Sequence, residues 1–481
     1  MPAHRPPPWR DALALAFVTF GMCWLLRQHT FYGPDGRAIL KMAMSGMQAH
    51  PLHYFYVPLL RALHAVLPGS AGSWYDAGLL LSQLGLAGAA LAWHRAAAHL
   101  AVSRVQAAAI VLLGVTTPAV LFFASVVELH APFLAFAGLA TYAAATCGRR
   151  LRTGGAVALG ASTGLAVGGH ATAHLLLLWL VPLAWVASQI DRAGDEVGRA
   201  RLARWAGWGI LVGVVHAGVT LALVPALRAS GIDPHPTSAA TYLFEQRQAS
   251  LRLAALPAQV WRDWLVPFAP LSFVVCARSH KAPRVAAVLA AGVVPSLVAT
   301  FLLTTPNTES GAYLLPLVFP AAWLAVCTLP PAVWLATALG GLGLGWRWIA
   351  GHEDTAFGRA FAAEARAEAR VRPLALLCGQ HREFDACLIF APELEWRPLI
   401  DEAGLPPETV PRLVDGLRAW VTLRQEQGED VLLTEGAKQY LLAPVGDERR
   451  TGPLLWRAIE QAFRLEPVTH AALRGWRLRT D

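Results

Sequence analysis

Residues 153–190 read TGGAVALGASTGLAVGGHATAHLLLLWLVPLAWVASQI, with no Asp, Glu, Lys or Arg among them. About 20 apolar residues cross the ~30 Å hydrocarbon core of a bilayer as one helix, so this stretch is read as two crossings, one short. They fall at about 154–169 and 171–189, and Gly168-Gly169-His170 marks the break between them. Arg149, Arg150 and Arg152 precede the pair, and Arg192, Arg199, Arg201 and Arg204 follow it. The same alternation of apolar run and basic cluster continues in both directions. Further runs lie at about 11–27, 76–94, 105–123, 130–147, 205–227, 264–277, 285–304, 312–329 and 331–349, making eleven in all. The fold class expected is an α-helical polytopic membrane protein.

Composition agrees. The 481 residues are 55% hydrophobic and 15% charged, whereas a soluble domain carries about a quarter charged residues. That argues against a soluble enzyme, and the apolar content excludes a disordered chain. Residues 1–350 carry 23 Lys+Arg against 11 Asp+Glu, while 351–481 carry 17 against 21. Two domains are expected: a cationic transmembrane domain over 1–350 and a polar domain over 351–481. The basic residues sit in short clusters between apolar runs, which is the mark of membrane topology and not of a nucleic-acid-binding face.

Orientation follows from those clusters. With the N-terminus in the cytoplasm, short inside loops collect 14 of the 23 basic residues, including Arg95, Arg104, Arg278, Lys281 and Arg284. Arg27 closes the first run and no small-residue cleavage site follows it, so a retained span is expected. An odd number of spans puts the 351–481 domain on the extracytoplasmic side. Two long outside loops, about 28–75 and 228–262, contain amphipathic stretches suited to the membrane interface at Ile39–Met47, Tyr54–Leu67 and Leu251–Trp264. The polar domain reads as a small α/β fold, with strands at 373–378, 386–390 and 430–433 and helices at 357–371, 407–425 and 453–465. Cys23, Cys147, Cys276 and Cys327 fall in apolar spans. Cys378 and Cys387 are either a disulfide or two buried thiols.

So few acids precede residue 351 that each carries information. Asp11, Asp191, Asp195 and Glu196 balance arginines at the cytoplasmic edge. Asp76 and Asp263 complement helix N-termini, and Asp233 sits in a turn. Asp35, in Tyr-Gly-Pro-Asp-Gly (32–36), is either part of a Pro-Asp-Gly turn or a carboxylate at the mouth of a membrane cavity. Glu128, in Ser-Val-Val-Glu-Leu-His (125–130), is either an acid on a helix's first turn or a functional group, because a membrane carboxylate is costly unless paired or hydrated. His130 shares that turn. His170 and His174 are spaced i, i+4, which would set both on one helical face toward a metal or an anion; a simple break between two spans accounts for the glycines equally well. His216 is read as an interhelical hydrogen bond. Arg247 and Arg252 either bind a phosphate or snorkel to the interface.

At these residues the chain resembles the GT-C membrane glycosyltransferases, in particular the protein O-mannosyltransferase-like branch, formerly a domain of unknown function. Three motifs over residues 11 to about 330 carry the resemblance. The first is Asp35 followed fifteen residues later by His50-Pro51-Leu52-His53-Tyr54 and the apolar segment Val57–Leu67. The second is Val127-Glu128-Leu129-His130, and the third is Gly164-Leu165-Ala166-Val167-Gly168-Gly169-His170-Ala171-Thr172. Tyr313-Leu314-Leu315-Pro316 is similar to the family's aromatic-Pro start of a late span. One departure stands out: the family often has a Glu three residues after the Asp, and here that residue is Ala38.

The resemblance implies a sugar, in the mannosyltransferase-like branch a mannose, carried on a polyprenyl phosphate. The acceptor would be a hydroxyl of a protein, lipid or glycan on the extracytoplasmic face, in a bacterial inner membrane. A general base must reach the acceptor proton, and Asp35 is assigned to it. Cations must meet the leaving phosphate, for which Arg247, Arg252 and Arg37 are the candidates. His50 and His53 would contact donor sugar or phosphate, and Glu128, His130, His170 and Tyr313 would line the cavity. Some GT-C enzymes use a divalent metal, which here would bridge Asp35 and Glu128. Two alternatives remain: a transporter or lipid flippase, against which the lack of two related halves argues, and an inactive scaffold, which Ala38 suggests.

Overall fold

The computed structural model describes residues 9–31, 35–44, 46–49, 53–67, 72–100, 102–190, 199–232, 255–303, 311–352, 355–379, 381–399, 406–443 and 451–480, with the backbone alone at Asp35, Gly72, Ser73, Leu302, Leu303 and His381. The chain divides into two compact units, Met1–Val66 with Ala77–His352, and Leu67–Asp76 with Glu353–Asp481.

The large unit is helical. Its elements are α1 (Trp9–Leu25), α2 (Asp35–Met44), α3 (Tyr56–Val66), α4 (Gly72–His99), α5 (Arg104–Val115), α6 (Pro118–Ala124), α7 (His130–Gly148), α8 (Thr153–Gly169), α9 (Leu176–Gln189), α10 (Arg199–Ala229), α11 (Leu256–Val260), α12 (Leu271–Arg278), α13 (Pro283–Leu303), α14 (Val318–Thr328) and α15 (Pro331–His352). Among the described residues, five helical segments are long and apolar enough to cross a membrane: Trp74–His99, His130–Gly148, Ala171–Gln189, Arg199–Ala229 and Pro283–Phe301. A sixth is counted if α5 and α6, which meet at 68°, form one span.

Eleven uninterrupted crossings were expected, and the difference has local causes. Pro118 cannot continue α5 because it lacks an amide proton, so the 105–123 run bends there. The 264–277 run begins in a π-helical turn, Trp261–Leu265, and only Leu271–Arg278 is α-helical. The 312–329 run opens as a 3₁₀ segment, Ala312–Leu317, before α14. The first run and the 154–169 run are helices of 17 residues each.

Glycine draws the helices together. Gly160 and Gly164 of α8 form a small-xxx-small pair, and a Cβ on Gly160 would lie 2.6 Å from the Val212 carbonyl oxygen of α10. Without such residues two backbones in a bilayer cannot approach closely enough for dispersion to hold them. Gly85 of α4 is pressed in the same way on Ala131 of α7.

The small unit is a mixed α/β fold. Its helices are α16 (Ala356–Val371), α17 (His381–Asp385), α18 (Val410–Glu426), α19 (Glu435–Leu442) and α20 (Thr451–Ala462). Its strands are β1 (Leu374–Cys378), β2 (Glu395–Pro398), β3 (Asp430–Thr434), β4 (Arg464–Thr469) and β5 (Arg474–Arg479), in the order β2-β1-β3-β5-β4. β1 runs parallel to β2 and β3, and β5 runs antiparallel to β3 and β4. The strand expected at 386–390 is instead a π-helical turn, Ala386–Phe390, continuing α17. The helix expected over 453–465 ends at Ala462, where β4 takes over.

Two buried features organise this unit. Glu383 caps α19: its carboxylate accepts from Gly379 N (3.2 Å), Gly436 N (3.1 Å) and the Thr434 hydroxyl (2.6 Å). Cys378 and Cys387 are free thiols with sulfurs 3.4 Å apart, so the disulfide reading does not describe this structure.

Candidate functional site

The site is built around the five residues that join α6 to α7, Ser125–Leu129. α6 ends where Ser125 N–H donates to Phe122 O, and α7 begins at His130. In between the backbone is fixed from two sides. Gln28, just beyond α1, donates its amide N–H to Ser125 O (2.8 Å) and its side-chain Nε2 to Ser125 Oγ (2.6 Å). Ser82 of α4 donates its hydroxyl to Glu128 O (3.3 Å) and accepts from Glu128 N (3.4 Å). Glu128 is fully buried, and its Oε2 accepts the Leu129 amide at 2.8 Å. A carboxylate so placed is expensive to desolvate, and the backbone donor offsets only part of that.

Two glycines bring further segments onto this frame. A Cβ on Gly36, in the first turn of α2, would lie 2.3 Å from the Val127 carbonyl oxygen. The backbone that follows Asp35 therefore rests directly on the residue before Glu128. Gly168 does the same for the segment after the His-Pro motif. Phe55 N–H donates to Gly168 O (2.8 Å), and a Cβ on Gly168 would meet the Phe55 ring at 2.5 Å. Gly169 leaves room for Phe136. The Gly-Gly-His sequence is thus a docking surface for two phenylalanines as well as the end of α8.

These contacts assemble a buried group of imidazoles. The His53 and His170 ring centres are 4.5 Å apart, those of His130 and His170 5.0 Å, and Tyr313 lies 5.5 Å from His130 and 5.7 Å from His170. His130 is 2% exposed, His170 4% and His53 7%, against walls that include Phe123 and Phe133. Thr172 orients the central ring: its amide donates to His170 Nδ1 (3.1 Å) and its hydroxyl lies 2.7 Å from the same atom. With Nδ1 accepting, neutral His170 carries its proton on Nε2. That gives a reason for the Thr two residues after the His. The cluster gathers three imidazoles and a phenol beside the segment that carries the Glu128 carboxylate.

Several expectations require correction or fall outside the described residues. His170 and His174 do not share a face, because Ala171–Leu175 is a 3₁₀ turn and not a continuing α-helix. His174 turns to His216 instead (Nδ1 to Nε2, 2.9 Å), and His216 reaches Thr163 at 3.1 Å, the interhelical bond expected of it. Arg37 lies over the Phe31 ring at 5.4 Å. His50, Arg247 and Arg252 lie outside the described residues, as does the side chain of Asp35. Among the described residues no three His, Cys, Asp or Glu side chains converge as a metal site.

Asp263, expected to complement a helix N-terminus, has a closer partner. It is 2% exposed and held by Arg262, with Nε 2.8 Å from Oδ1 and Nη2 3.2 Å from Oδ2. The sequence signal was the adjacent Arg-Asp pair at the edge of an apolar run.

The polytopic helical frame and the mixed α/β unit make a fold that solved structures share. One such structure is ArnT from Cupriavidus metallidurans. The structure of ArnT bound to undecaprenyl phosphate aligns with a TM-score of 0.59 at 15% identity, covering 97% of each chain. The apo state of the same protein aligns at 0.54, again at 15% identity and with 97% of each chain covered. No family model matches the sequence, and no curated protein matches it.

Proposed function

We propose that this chain is an integral-membrane glycosyltransferase that moves a sugar from a polyprenyl-phosphate donor to an acceptor hydroxyl on the extracytoplasmic face. One observation carries the reading: a buried carboxylate, Glu128, lies two residues from a cluster of three buried imidazoles and one residue from the seat of the Asp35–Gly36 turn. The fold shared with ArnT, whose structure holds undecaprenyl phosphate, supports the donor class.

In this reading Asp35 takes the proton of the acceptor hydroxyl as its oxygen attacks the anomeric carbon. The bond between that carbon and the phosphate oxygen breaks, and the electron pair leaves with the polyprenyl phosphate. Arg37, with Arg247 and Arg252 of the second outside loop, meets the charge that develops there. Glu128, His53, His130, His170 and Tyr313 orient the sugar, and His50 contacts donor sugar or phosphate. The N-terminus is cytoplasmic and the 351–481 domain extracytoplasmic, with the eleven passes expected from the sequence. Mannose is the first sugar to test.

The test is turnover by purified protein in detergent, supplied with a panel of polyprenyl-phosphate-linked sugars. Release of polyprenyl phosphate with one of them supports the reading. Absence of release across the panel, with acceptor extracts present, overturns it.

A further inference from the structure

One stripe of α15 follows the bent α5–α6 pair to the segment that carries Glu128. A Cβ on Gly341 would lie 2.6 Å from the Thr116 carbonyl oxygen, and one on Gly345 would lie 2.9 Å from Leu121 Cδ1. Trp348 stacks on Phe122 with ring centres 4.7 Å apart, and His352 meets the same ring edge-on at 5.0 Å. Positions 341, 345, 348 and 352 have the i, i+4, i+7, i+11 spacing of a single helical face. The two glycines let the backbones close, and the last turn of α15 then rests on the last turn of α6.

From that turn a chain of hydrogen bonds runs into the candidate site. His352 Nδ1 lies 2.7 Å from Gln28 Oε1, and Gln28 Nε2 lies 2.6 Å from Ser125 Oγ. Ser125 Oγ in turn lies 2.8 Å from Phe122 O. Gln28, Ser125 and Phe122 are fully buried.

The chemistry of each group gives the chain one direction. A carbonyl oxygen only accepts, so the Ser125 hydroxyl directs its single proton at Phe122 O and accepts from the Gln28 amide. That turns Gln28 Oε1 toward His352 and requires the imidazole proton on Nδ1. Hydrogen bonds aligned in this way, away from water, polarise and strengthen one another. Replacing the first donor therefore loosens the links behind it, and the last of them lies three residues before Glu128.

We propose that His352 is a positioning residue for Glu128, acting through Gln28 and Ser125. This rests on the transferase reading above and adds the end of α15 to the groups that set the site. The chain leaves the large unit directly after His352. The residue at that junction is thus part of what holds the carboxylate in place.

Two substitutions separate this role from packing. Asparagine carries an amide N–H near the place of imidazole Nδ1, whereas glutamine carries it near Nε2. Full-length parent, His352→Asn and His352→Gln proteins are purified in detergent and compared in release of polyprenyl phosphate from polyprenyl-phosphate mannose and the other donors of the panel. His352→Gln should lower kcat at least about tenfold with the donor KM within about twofold of the parent, and His352→Asn should recover kcat to within about threefold. Hydrogen exchange over 125–129 should quicken about fivefold in His352→Gln, the worth of one hydrogen bond, and stay parental in His352→Asn. Parental kcat or parental exchange in His352→Gln overturns the positioning role and leaves the transferase reading standing. Equal impairment of the two variants does the same. No turnover by the parent across the panel overturns the transferase reading, and the exchange comparison still decides whether His352 holds the segment before Glu128.

Discussion

Gly36→Ala probes the contact that brings α2 to the site. The new methyl group would sit 2.3 Å from Val127 O and 3.0 Å from Phe31 Cδ1. Side-chain β-carbons essentially never approach another atom closer than 3.0 Å, so helix or loop must move by at least 0.7 Å. The obstacle is a backbone carbonyl and cannot rotate away. Overpacking of this kind costs about 1–3 kcal/mol, and the better helix propensity of alanine returns up to about 1 kcal/mol. Stability should therefore fall by no more than about 3 kcal/mol. Catalysis should suffer more, because a misplacement of about 1 Å costs roughly 100-fold in rate. The assay is release of polyprenyl phosphate by the detergent-purified variant beside its thermal aggregation profile. Gly213→Ala, where a Cβ meets nothing within 4 Å, is the matched control and should retain full activity. Parental turnover and parental stability in Gly36→Ala would refute the seating of α2 on Val127 as a determinant of the site.

Three further outcomes are expected. Gly168→Ala puts a methyl 2.5 Å from the Phe55 ring, so it should displace His53 from His170 and reduce turnover at least about tenfold, measured as kcat against donor concentration. Glu383→Ala strips the buried Gly379 and Gly436 amides of their acceptor; it should destabilise the small unit by about 1–3 kcal/mol, seen as faster hydrogen exchange over 374–442 in the intact protein. Burial opposes ionisation of Glu368, but hydrogen bonds from His470 and Arg477 outweigh it and leave its pKa below the usual value of 4.5. The stabilisation is thus full above pH 4.5 and is lost as pH falls through the lower folded value. Exchange at α16 and β5 should accelerate only in that acidic window, and Glu368→Gln should abolish the change.

The membrane-spanning half was legible because an apolar run bounded by arginines suits a bilayer crossing and little else. What the sequence hid was how those runs break. An apolar run of 19 residues such as 105–123 looks continuous, yet Pro118 bends it by denying α5 its next hydrogen bond. In the small unit, ACLIF at 386–390 has no periodicity to separate strand from helix, and Glu383's capping role draws its neighbourhood into a helical path. β4 and β5 are hidden in the sequence because RLEPVT and RGWRLR are rich in charge, which the structure satisfies with Arg477 and Arg479 on Asp430. Glu128, His130 and His170 stood out as polar residues in apolar surroundings. Ser82, Gln28 and Thr172, which fix them, are ordinary polar residues on their own and acquire meaning only through their partners in space.

The central claim concerns Asp35 and Glu128 acting on a lipid-linked sugar. Its most direct measurement is single-turnover release of polyprenyl phosphate by the parent, Asp35→Asn and Glu128→Gln proteins at matched folding. Loss of at least about 100-fold in Asp35→Asn, the worth of a positioned general base, with a smaller loss in Glu128→Gln, is the predicted result. Unchanged release in Asp35→Asn would contradict the account.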